Sequence, residues 1–156
     1  MPIVFKHFWI AFIFVTLANG AIWWYRGREH RERDPTLVEG YRSLIRGFVT
    51  WGNLPWLIMG AGILFGGVPS IFHYFDPTSP NPFIAGWFGS LFLLWAAGTY
   101  WLFARGGAEQ LVRHPGLIQS DITSPSTIKA LWLLCIAGGV AAVAAMYFGA
   151  FQPPEF

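Results

Sequence analysis

Four apolar runs, Ile3–Tyr25, Gly47–Phe72, Phe83–Ala104 and Ile128–Gly149, alternate with polar stretches along the chain. Each reaches the roughly 20 residues that a helix needs to cross a bilayer. The pattern predicts an all-α, integral membrane four-helix bundle, with residues 1–156 as a single transmembrane domain. Polar loops are expected at 26–46 and 105–127, and a shorter connection at 73–82. Between Asp34 and Arg46, Leu37, Tyr41 and Leu44 recur at helical spacing, while Glu39, Arg42 and Arg46 take other faces. That spacing predicts a short interfacial helix before span two. Asp34-Pro35, Asn81-Pro82 and Ser124-Pro125 each place a capping side chain before a proline at the first helical position. The stretch GGAEQLVRHPGLIQSDITSP is expected to lie along the same surface, broken at His114-Pro115-Gly116.

Charge gives these spans a direction. Arg26, Arg28, Arg31, Arg33, Arg42 and Arg46 occupy the first polar loop, and Arg105, Arg113 and Lys129 follow span three. Nine of the ten basic residues therefore lie on one side, and Lys6 snorkels from the first run. The positive-inside rule makes both basic loops cytoplasmic and the arrangement N-out/C-out. The first run is too long for a cleavable signal, and its basic residues follow it, so a retained span is expected. Arginine outnumbers lysine eight to two. That bias points to a GC-rich bacterial source and to the inner (cytoplasmic) membrane.

Composition agrees with the pattern. Charged residues make up 12% of the chain, about half the usual share of roughly 25% in soluble domains. The lone Cys135 excludes an intramolecular disulfide and any CxxC motif. Every Asp and Glu lies outside the four apolar cores, which weighs against a proton relay or an ion-coupled carrier. A pore lined by backbone or hydroxyls stays compatible with that absence. No nucleophile–base pair and no GxSxG, P-loop, HExxH or GxGxxG fingerprint stands in its required context, so no catalytic residue is assigned. No Cys, Asp or Glu accompanies a histidine at ligand spacing within a span, which argues against a closed metal site.

The polar residues inside the spans form one expected layer. Asn19, Asn53 and Thr99 lie five or six residues from the basic end of their spans, and Cys135 a similar distance into span four. At 1.5 Å per residue that is about 9 Å below the boundary. They serve either as interhelical glue, at about 0.6 kcal/mol each, or as a lining for a substrate, quinone or ion. Asn19 and Asn53 are expected to touch. Pro55 removes a helical donor, frees the Trp51 carbonyl and predicts a kink, or in the sharper reading a gate.

Four further features complete the candidate chemistry. His7 and His73, both near the outer ends of spans one and two, suit either axial ligation of haem b from facing helices or the membrane interface. His30 and His114 fall in the basic loops and read as solvated or headgroup-facing residues. Aromatic residues form two belts, whereas the deeper Trp56 and Trp95 would face a partner helix, a pigment or a lipid. Ala137, Ala141, Ala145 and Gly149 make a small-residue ladder on span four, and Gly62 with Gly66 a shorter one on span two. Arg26, Arg28, Arg31 and Arg33 suit lipid headgroups, in a field reduced by Glu29, Glu32 and Asp34.

Three functions follow as expectations. The favoured one is a non-catalytic small subunit of a larger respiratory or photosynthetic membrane complex, packed through small-residue faces and aromatic belts. The others are a small oligomeric channel or carrier around the polar layer, and a redox protein binding haem b or quinone. The expected partners are other membrane subunits or further copies of the chain, together with lipids. Nucleic-acid binding has no support.

Overall fold

The structure, a computed structural model, describes residues 3–118 and 122–149; the tail beyond Gly149 and residues 119–121 of the second polar loop lie outside the described residues. Seven α-helices follow one another, and no strand occurs among the described residues. They are α1 (Ile3–Arg26), α2 (Arg28–Arg33), α3 (Val38–Gly52), α4 (Leu54–Phe65), α5 (Pro82–Ala104), α6 (Gly107–Arg113) and α7 (Pro125–Tyr147). Short 3-10 turns at Pro35–Leu37 and Ile71–Phe75 complete the path. Four segments are long and apolar enough to cross a membrane: Lys6–Arg26, Pro35–Phe65, Pro82–Ala104 and Pro125–Tyr147.

Spans one, three and four start and stop within a few residues of the sequence pattern. The second span differs at both ends. The amphipathic segment before it is continuous with the start of the span in α3, and it buries Tyr41 completely. At the far end the helix stops at Phe65, seven residues before the expected limit at Phe72. The reason is local. Gly67 takes a left-handed φ of +67°, and the N–H groups of Gly66 and Val68 both return to the Gly62 carbonyl. Two of the three expected caps form: Asp34 accepts from Thr36 N at 3.0 Å and Asn81 from Phe83 N at 2.9 Å. Ser124 instead pairs with Ser126 Oγ.

In lipid the alternative to a packed apolar side chain is hydrocarbon, so close approach and hydrogen bonds decide how the helices meet. α1 and the α3–α4 pair run antiparallel in a continuous register. Trp9 lies over Gly60, the Phe12 and Trp56 rings stack at 4.0 Å, Thr16 meets Gly52, and Gly27 receives the Tyr41 ring. Beyond α4, the core of Met59, Ile63, Val68, Ile71, Tyr74, Ile84, Trp87 and Phe88 joins α4, the 3-10 turn and α5. Tyr74 anchors that core, because its hydroxyl donates to Met59 O at 3.0 Å. Burial pushes its phenol up to about 12.

α7 is the outlying helix and packs chiefly on α5 and α6. Its contact with α5 is reciprocal. A Cβ on Gly139 of α7 would lie 2.5 Å from the Trp95 ring, and one on Gly98 of α5 would lie 2.6 Å from the Trp132 ring. Each tryptophan thus fills the gap left by a glycine on the other helix. Trp132 Nε1 also donates to Thr99 Oγ1 at 2.9 Å. Only 6% of the most apolar α7 stretch is buried, against 33% for the second span.

Candidate functional site

The polar loops close on each other at the basic end of the helices. Gly27 turns the chain from α1 into α2, where Arg28 pairs with Glu32 at 2.7 Å and Arg33 pairs with Glu29. Arg42 pairs with Glu39 on α3, and Lys129 with Glu109 at 2.9 Å. Exposed pairs of this kind contribute about 0–1 kcal/mol each. Their larger effect is on the field, since they neutralise four cations locally. Arg26 and Arg31 make no ion pair among the described residues.

Tyr41 stands at the centre of this seam. Its hydroxyl donates to the Pro115 carbonyl at 2.6 Å, tying α3 to the second loop. The Arg31 guanidinium lies 3.7 Å above the Trp24 ring and 5.3 Å from the Tyr41 centroid, a cation held by two aromatic faces. His114 is buried and meets the Tyr41 ring edge-on at 4.9 Å. Its Nδ1 lies 2.7 Å from Gln110 O. A carbonyl only accepts, so Nδ1 carries the proton and Nε2 is left facing Gly40. No Cβ fits there without entering the imidazole. Gly116, at φ +85°, passes 3.3 Å from the Arg26 backbone and completes the closure.

The expected polar layer divides into separate local arrangements. Asn53 is buried, and its Nδ2 donates to Val49 O of its own helix at 2.8 Å. Its Oδ1 has no hydrogen-bond partner among the described residues, so the expected meeting of Asn19 and Asn53 is not made through a hydrogen bond there. The register explains this: Thr16, one turn from Asn19, is the α1 residue that meets Gly52 beside Asn53. Thr99 donates to Trp95 O at 2.7 Å and accepts from Trp132, while Cys135 is exposed on α7.

Pro55 does interrupt the span. Asn53 forms a turn between α3 and α4, and its N–H goes to Trp51 O. The Val49 carbonyl would then lose its helical donor, and the Asn53 side chain supplies a replacement. The two residues that looked anomalous together are one device: a proline break and its amide splint.

His7 is exposed on α1, whereas His73 lies in the 3-10 turn with Nδ1 3.1 Å from Ser70 Oγ. Because α4 ends at Phe65, the two histidines are not on facing helices. Gly62 and Gly66 do receive close packing, from Tyr74 and Phe83. Ala137, Ala141 and Gly149 are exposed, Ala145 is half-buried, and the α5 contact uses Gly139 instead. Trp56 and Trp95 both face neighbouring helices. Of the four loop arginines, Arg28 and Arg33 are tied to glutamates and Arg31 to aromatic rings, while Arg26 has no such partner among the described residues.

Sequence reasoning missed Thr16, the Tyr41–His114 contact and the Tyr74 anchor. Tyr41 carried a signal in its place on the apolar stripe. Thr16 carried little, because its hydroxyl bonds to Phe12 O within its own helix. No family model, curated protein or solved structure matches this chain.

Proposed function

We propose that this chain is a non-catalytic subunit of a larger membrane protein assembly, of respiratory or photosynthetic type, docked through the free face of α7. The observation that carries the reading is that only 6% of the most apolar stretch of that helix is buried. Its contact with α5 is complete through Gly139, Trp132 and Thr99, yet a ladder of small residues remains exposed beside it. Small side chains give lipid tails little extra contact, but they let another helix approach closely. The channel reading has weaker support, because the span hydroxyls and the Asn53 amide bond within their own helices or to Trp132. The haem reading loses its facing-helix geometry at His73.

In this reading both termini face outward from a bacterial inner membrane, and the first turns of α3 lie at headgroup level. Ala137→Cys in a Cys135→Ser background places a reporter on the docking face, because Ala137 is exposed on the ladder, whereas Cys135 shares the helix side of Gly139, which meets α5. A membrane-permeant maleimide should label that reporter slowly in native membranes and readily once the chain is stripped from its partners. Mild-detergent purification should yield a defined complex larger than the 17.5 kDa chain. Equal labelling in both states, with a solitary monomer in mild detergent, would reject the proposal.

A further inference from the structure

A cavity of about 410 Å³ opens at the seam between the two basic loops. Arg26 and His30 line it from the end of α1 and from α2, and His114 and Gly116 from the opposing loop. Ile118 and Ile122 add apolar surface. No acidic residue is among the described residues that line it. Arg26 has no ion pair among the described residues, although Arg28 and Arg33 close by are both neutralised. Of the four, Arg26 is the one held neither by a carboxylate nor by aromatic rings among the described residues, and it borders the cavity.

The walls are held in place from outside it. Tyr41 fixes Pro115 through its hydroxyl, His114 is fastened to Gln110, and Gly116 rests against the Arg26 backbone. The site therefore need not be assembled when a ligand arrives, which lowers the ordering cost of binding. Its position is equally specific. Arg26 is the last residue of a membrane-spanning helix, so the cavity lies at headgroup depth, with cationic and apolar walls together.

We propose that this cavity binds the phosphate of an anionic glycerolipid, with Arg26 and His30 on the phosphate oxygens and Ile118 and Ile122 along the start of the acyl chains. Arg26 supplies the fixed charge and donates to the phosphate oxygens. His30 supplies a further donor. Bulk attraction to an anionic leaflet would involve every basic residue alike, whereas this site distinguishes Arg26 from its neighbours.

The full-length protein, purified in detergent and reconstituted into nanodiscs, provides the test. Native mass spectrometry should show retention of phosphatidylglycerol in preference to phosphatidylcholine. Arg26→Gln should lower that retention by about fivefold, the effect expected of one lost interfacial cation. Adding His30→Gln should lower it further, and Arg26→Lys should restore part of it. Arg28→Gln combined with Arg33→Gln should leave retention within about twofold, since salt-bridged cations contribute little to the free field. Circular dichroism and gel filtration confirm that each variant is folded. Equal retention of the two lipids would overturn the proposal, as would an equal loss in the Arg28/Arg33 variant. Displacement of the lipid by millimolar inorganic phosphate would overturn the lipid assignment in favour of a soluble phosphate.

Discussion

The Tyr41 hydroxyl donates a 2.6 Å hydrogen bond to the carbonyl of Pro115, a residue 74 positions away. That bond joins the loop before span two to the loop after span three. Tyr41→Phe keeps the buried ring and removes only the donor. It should cost about 1 kcal/mol of stability and raise hydrogen exchange at residues 114–118. Unchanged exchange there would show that the loop is held by packing alone.

Gly40 and His114 make a sharper test of the same seam. On an open helical face, Gly→Ala stabilises by about 0.5–1 kcal/mol. At Gly40 the new methyl would enter the His114 imidazole, so Gly40→Ala should instead cost about 1–3 kcal/mol. His114→Ala should remove most of that penalty when the two are combined. Additive losses in denaturant unfolding would contradict the steric account.

How much of this was legible beforehand depends on which physical signal carried it. The spans were legible because a bilayer imposes length and hydropathy on them. Two of the three proline-flanked caps were legible because an Asn or Asp before proline leaves few alternatives. The pairing of residues across helices was not. Depth counted from span ends depends on where each span begins, and the apolar run of span two starts at Gly47, whereas its helices run over Val38–Gly52 and Leu54–Phe65. One turn of error moved Asn19 opposite Asn53, where the structure has Thr16 meeting Gly52. The ladder on α7 shows the same limit. Spacing revealed a face suited to close approach, but Trp95 seats on Gly139 instead.

The Asn53 splint predicts a coupling with Pro55. Asn53→Ala alone strips the Val49 carbonyl of the donor recorded at 2.8 Å and should cost about 1–3 kcal/mol. Pro55→Ala permits a continuous helix, in which the backbone N–H at position 53 can return to Val49. In that background Asn53→Ala should cost less, with a coupling of at least about 0.5 kcal/mol. The comparison calls for reversible unfolding of all four proteins in one detergent. Strict additivity would mean that the amide serves some other purpose.

The final prediction concerns pH and the clasp between α6 and α7. Lys129 Nζ donates to Glu109 Oε1 at 2.9 Å. That hydrogen bond holds the Glu109 carboxyl below the usual glutamate range, with the lysine charge acting in the same direction. A depressed carboxyl pKa means that folding favours the ionised form. The stabilisation is therefore fully present above the ordinary value of about 4.3 and is lost as pH falls through the lower folded value. Asp34 shifts in the same direction through its bonds to Thr36, so an acid-induced loss in the wild type cannot by itself identify the clasp. Glu109→Gln separates the two contributions. Wild type should melt at a slightly higher temperature than Glu109→Gln near neutrality, and the difference should fade as pH falls through the lowered folded value of Glu109. High salt should shrink it at neutral pH, because both side chains reach solvent. A difference that persists unchanged into acid would assign the effect to packing at position 109, leaving Lys129 without a part in holding α6 to α7.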